Sequence, residues 1–118
     1  MPAGKHNIYI EQGATWSLPL RWQDADELPI DLTSFTARMH LRKKITDTEP
    51  SMTLTTENGR ISLGGADGTI TLFIAADDTS TLLMKTGVYD LELMSPGGVV
   101  TRLLEGGVTV SHEVTRDE

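Results

Sequence analysis

The sequence predicts an all-β chain, an antiparallel β-sandwich of the immunoglobulin-like type with about eight short strands. Three observations predict it. Apolar residues recur with a period of two in segment after segment, turn-forming residues separate those segments, and no helical period runs long enough to build a layer. At 118 residues the chain has the usual size of one domain, because two separate cores would leave each half near the lower limit for unassisted folding. A single domain over residues 1–118 is therefore expected, with 1–5 and 115–118 as flexible ends. A small barrel is the competing architecture.

His6 to Gln12 places Ile8 and Ile10 on one face of a strand and Asn7, Tyr9 and Glu11 on the other, and Gly13 punctuates it. From Ala14 to Trp22 the residues Trp16, Leu18, Leu20 and Trp22 alternate with Thr15, Ser17, Pro19 and Arg21. Pro19 has no N–H to give a ladder, so this strand belongs at an edge or turns that nitrogen away from its neighbour. The polar run Asp24 to Pro29 connects to Ile30–Thr33, which leads into a third strand of about ten residues. Within that strand Phe35, Ala37, Met39 and Leu41 form an apolar face, and Thr36, Arg38, His40 and Arg42 a polar one.

Met52 and Leu54, then Ile61 and Leu63, mark two short strands around Glu57-Asn58-Gly59, a strong hairpin signal because Asn and Gly tolerate positive φ. The Gly64–Gly68 turn precedes a strand in which Ile70, Leu72 and Ile74 point one way and Phe73 the other. Alternation lapses from Ala75 to Lys85, where Asp77 or Asp78 would cap at most one short helical turn within residues 76–84. It resumes at Val88–Met94, with Tyr89, Leu91 and Leu93 opposite Asp90 and Glu92, and Pro96-Gly97-Gly98 forms a turn. Val99–Leu104 and Val108–Val114 complete the set as two strands divided by Glu105-Gly106-Gly107.

Composition narrows the function. A net charge of −7 opposes contact with nucleic acid or an anionic membrane, since phosphate binding needs clustered Lys and Arg. The basic run Arg38–Lys44 reads as the solvent face and end of a strand. With no cysteine there is neither a disulfide nor a thiolate metal site, and a cytosolic folding compartment is compatible. The first residues lack the basic-then-apolar pattern of a secretory signal, and no apolar run is long enough to span a bilayer as a helix. Aromatic residues are only 5% of the chain, so Leu, Ile, Val and Met must fill a thin core, and further stability from assembly with other copies is expected.

No residue pattern nominates a nucleophile, an acid–base pair or a cofactor site. His6, His40 and His112 fall on different strands without metal-ligand spacing. Asp24, Asp26, Glu27 and Asp31 gather carboxylates without the spacing of a calcium loop, which makes a solvated acidic loop the expectation. Gly64–Thr69 lacks the lysine of a phosphate-binding loop and precedes a strand rather than a helix. Trp16 and Trp22 share a face with Leu18 and Leu20, so they are assigned to the core, the alternative being a sugar-stacking platform in a carbohydrate-binding module.

The segments IYIEQGATWSLPLRW, PIDLTSFTARMHLR and GVYDLELMSPGGVVTRLLEGGVTVSHEVTR, in that order, resemble small bacteriophage virion proteins of the β-sandwich type found in tail-fibre collars and at baseplates. The resemblance covers most of the chain, with Ile45–Asp67 carrying little of it. It implies a non-enzymatic tail, baseplate or fibre-attachment subunit, made in the host cytoplasm and incorporated in the virion as repeated copies against other virion proteins. A capsid decoration or head–tail joining subunit is the neighbouring reading. Contacts would then run through edges and loops, and Pro19, Asp24, Asp26, Glu27, Arg42, Lys43, Lys44 and Phe73 are the expected interaction residues.

Overall fold

The computed structural model describes residues 3–115 and contains nine strands in two sheets. They are β1 (Gly4–Lys5), β2 (Ile8–Glu11), β3 (Trp16–Arg21), β4 (Thr36–Arg42), β5 (Met52–Thr55), β6 (Ile61–Leu63), β7 (Thr69–Ile74), β8 (Thr86–Met94) and β9 (Val100–Ser111). A helical turn, α1 (Ala76–Thr79), follows β7, and a 3-10 turn spans Gly65–Asp67.

The large sheet runs β1-β9-β8-β4-β5, with β2 continuing the β1 edge along β9; the small sheet runs β3-β7-β6. Alternation decides which side of each strand is buried. Ala37, Met39 and Leu41 on β4, Tyr89, Leu91 and Leu93 on β8 and Ile70, Leu72 and Ile74 on β7 meet between the sheets. Among the described residues Tyr89 is the one aromatic member of the buried core and the fully buried side chains are all non-aromatic, so the interior is aliphatic, as the composition requires.

Pro19 stands on β3, an edge of the small sheet, where its missing N–H removes nothing from a central ladder. Trp16, Leu18, Leu20 and Trp22 pack against the core, and Trp22 meets Phe35 edge to face with ring centroids 6.4 Å apart. The two indoles thus serve the interior rather than an outward platform.

Several expectations are corrected. Glu105-Gly106-Gly107 is no turn but the middle of one twelve-residue strand, β9. Gly106 is glycine because the first strand passes close by: a Cβ there would collide with the His6 carbonyl oxygen. Asn58-Gly59 does not close a hairpin, since β5 belongs to the large sheet and β6 to the small one. Asn58 instead organises the crossing, its Oδ1 accepting from the Thr55 and Arg60 amides at 3.0 Å each and its Nδ2 donating to the Thr53 carbonyl.

The long third strand shortens to seven residues, because Leu32–Phe35 is a turn closed by Phe35 N–H to the Leu32 carbonyl, with Ser34 at φ 64°. Neither Asp77 nor Asp78 caps α1; Ala75 holds that position and both aspartates lie in the first turn. Pairing is also not wholly antiparallel. β1 and β2 both run parallel to β9. Gly4 and Lys5, placed by the sequence in a flexible leader, are thereby hydrogen-bonded into the sheet, while Met1, Pro2 and 116–118 lie outside the described residues.

Candidate interaction surface on the outer face of the large sheet

Three strands build the feature with the most concentrated side-chain chemistry. The outward residues of β4, β8 and β9 line an open hollow of about 710 Å³ that includes Arg38, His40, Arg42, Asp90, Glu92, Arg102 and Glu105. Their positions follow from register. Arg38 pairs across the β4–β8 ladder with Glu92, and His40 with Asp90. Across β8–β9, Glu92 faces Arg102 and Asp90 faces Glu105, with a bulge at Leu103 shifting the register between those two pairs.

The charges are tied together in the plane of the sheet. Arg38 Nε lies 2.9 Å from Glu92 Oε1, and Arg102 reaches Asp90 and Glu105 at 3.5 Å each. Lys5 Nζ donates to Glu105 Oε2 at 2.8 Å. That bond and the lysine charge, helped by Arg102, hold the Glu105 carboxyl below its ordinary range. At one end Arg42 Nη1 donates to the Asp47 carbonyl and Nη2 stands 3.1 Å from His40 Nδ1. Exposed apolar side chains flank the charges: Val88 and Ile45 at that end, Met94 and Val100 at the other.

Of the interaction residues expected from the sequence, only Arg42 falls in this hollow. Lys43 and Lys44 are exposed just beyond it, and the Lys44 amide donates to Asp47 Oδ2. Pro19 and Phe73 share the outer face of the small sheet, Phe73 paired with Ser17 and Pro19 with Thr71. Asp24, Asp26 and Glu27 lie in the loop between β3 and β4, where Asp24 Oδ1 accepts from the Asp26 and Leu28 amides at 2.9 and 3.0 Å. The Asp24 carboxylate therefore shapes a turn. Asp31 likewise accepts from the Thr33 amide and hydroxyl, which lowers its carboxyl below the usual range. Among the described residues no group of three or more His, Asp or Glu side chains is gathered to hold a metal ion.

Sequence reasoning missed Arg38, His40, Asp90, Glu92, Arg102 and Glu105 as a group. The outward period of β4 and β8 was visible, but the register that sets Arg38 beside Glu92 is a tertiary fact.

No family model and no curated protein matches the chain. A solved structure that resembles it is that of the extracellular domain of the voltage-gated sodium channel β4 subunit, with a TM-score of 0.50 over 97% of each chain and 13% identity. The fold is an immunoglobulin-like β-sandwich. That domain is described as forming parallel homodimers that explain its role in cell–cell adhesion. At this identity the likeness concerns the immunoglobulin-like frame, within which the charged ladder above is a feature of this chain's own residues.

Proposed function

We propose that the chain is a non-enzymatic structural subunit of a bacteriophage or prophage particle, joining tail, baseplate or fibre components as repeated copies. The observation that carries the reading is where the segments resembling such virion proteins lie. They supply β2–β3, β4, β8 and β9, and β2, β9, β8 and β4 stand side by side as one continuous sheet. The resembling strands of the large sheet are thus neighbours, with β3 in the small sheet, and that adjacency supports the reading. The β8–β9 hairpin tip adds Met94, Val99 and Val100, exposed by 42, 66 and 48%, as apolar material for contact with another protein.

The test is localisation in particles produced by the host that carries the gene. Immunogold against this protein is expected on the tail, baseplate or fibre attachment, and the protein is expected to co-sediment with intact particles. Gold over the head would favour a capsid decoration or head–tail joining subunit instead. Complete, infectious particles that lack the protein would sink the structural reading altogether.

A further inference from the structure

We propose that the outer face of the large sheet is a self-complementary docking surface whose occupant is a second copy of this chain, laid face to face with its strands in the same direction. The inference concerns a pairing of copies and holds independently of any place in a particle.

The rows of the β4–β8 ladder set Thr36 opposite Met94, Arg38 opposite Glu92, His40 opposite Asp90 and Arg42 opposite Val88. Consider a two-fold axis parallel to the strands, above the seam between β4 and β8. Rotation about it preserves height along the strands and exchanges the two columns. Arg38 then sits over the partner's Glu92, and His40 over the partner's Asp90. A ladder with one basic and one acidic column is complementary to itself under this operation and under no sideways slip that puts like columns together.

The rest of the face agrees. Because height is preserved, like ends of the two copies meet, with Met94 over the partner's Thr36 and Val88 over the aliphatic stem of the partner's Arg42. Arg38 and Arg102 keep 60 and 54% of their side-chain surface exposed, leaving reach for a second partner across the hollow. With a net charge of −7, two copies repel in most orientations, and this face is where both signs are interleaved.

Size is adequate for reversible association. About this axis β4 covers the partner's β8 along its seven residues and β5 covers the partner's β9 along its four, which at about 4.8 Å by 3.4 Å per residue gives roughly 360 Å² a face and on the order of 700 Å² in all, the size of a weak, transient contact.

The test exchanges charges between copies. Sedimentation velocity of the wild-type chain over a wide concentration range is expected to show a monomer–dimer equilibrium that weakens with added salt. Arg38→Glu and Glu92→Arg are each expected to weaken self-association by about tenfold or more. An equimolar mixture of the two is expected to restore it, since the all-acidic rows of one then face the all-basic rows of the other. A purely intramolecular role for Arg38 and Glu92 would not produce that rescue.

Circular dichroism checks that both variants fold; should either fail, the same mixing is done with His40→Asp and Asp90→His. A wild-type chain that stays monomeric at millimolar concentration, or a mixture that associates no better than its components, overturns the proposal. Amide shifts of the wild-type protein on dilution that fall on β3 and β7 rather than on β4, β8 and β9 overturn it as well.

Discussion

The Tyr89 hydroxyl donates a 2.6 Å hydrogen bond to the carbonyl of His6, a residue 83 positions away in the chain. The bond lies where the first strand breaks stride between β1 and β2. There His6 N–H still reaches the Glu105 carbonyl, and Asn7 Oδ1 takes the place of a backbone acceptor for Gly107 N–H at 2.9 Å. Tyr89 and Asn7 together satisfy groups that an uninterrupted strand would have paired through its own backbone.

Tyr89→Phe removes this donor while keeping the ring in the core. The expected loss is about 1–2 kcal/mol of stability, the cost of leaving one carbonyl without its partner. Hydrogen exchange adds a local readout: the amides of His6 to Ile10 should lose protection before those of β4 and β8. Uniform loss across the sheet would contradict the role assigned to this bond.

The same tyrosine sets a response to alkali. Burial pushes its hydroxyl up from 10.0 to about 12. The proton is thus held more tightly in the folded state, and the associated stability is complete below pH 10 and lost as pH rises through 12. Urea titrations at pH 9 and 11.5 should show the drop in the wild-type protein and a smaller one in Tyr89→Phe.

Gly106→Ala and Gly107→Ala form a matched pair. A Cβ at Gly106 would run into the backbone of His6, whereas at Gly107 the nearest atom is Asn7 Oδ1 at 3.4 Å. The first substitution is expected to cost about 2–3 kcal/mol by overpacking and to loosen the β1–β2 edge. The second should cost less than about 1 kcal/mol. Thermal melting compares them directly, and equal effects would show that close approach is not what requires Gly106.

Thr79 is the buried polar residue of α1, its Oγ1 accepting from Gly13 N–H at 3.0 Å and donating to the Ala14 carbonyl at 2.9 Å. Thr79→Val keeps the shape and leaves both groups without that partner, for an expected loss of about 1–3 kcal/mol. The urea midpoint should fall with the slope unchanged.

On the charged face, Lys5→Met should let the Glu105 carboxyl rise toward its ordinary value, since the lysine is the main cause of its depression. The depressed carboxyl's contribution to the fold is complete above that ordinary value and is lost as pH falls through its lowered folded-state value. A side-chain carboxyl NMR titration reads the change, and an unmoved Glu105 would assign the depression to Arg102 instead.

Local alternation made much of the fold legible. Ala37, Met39 and Leu41, or Ile70, Leu72 and Ile74, announce their strands and their buried side, because a half-buried strand must alternate. Pro19 announced an edge for an equally local reason. Turn grammar was less dependable: Gly106 and Gly107 read as a break because glycine serves both in turns and where another backbone passes close by. Asn58-Gly59 marked a real change of direction, but a turn signal carries no information on which sheet receives the next strand.

The sequence by itself determined the class of fold, the inward residues of the strands and the aliphatic core, all of which depend on neighbours one or two positions apart. The tertiary structure decided that the first strand runs parallel to the last, that Tyr89 meets His6, and that Arg38 and Glu92 stand in one row of a charged face. These are pairings between distant parts of the chain. They are fixed by register and by the burial of whole sheets, which no local pattern contains.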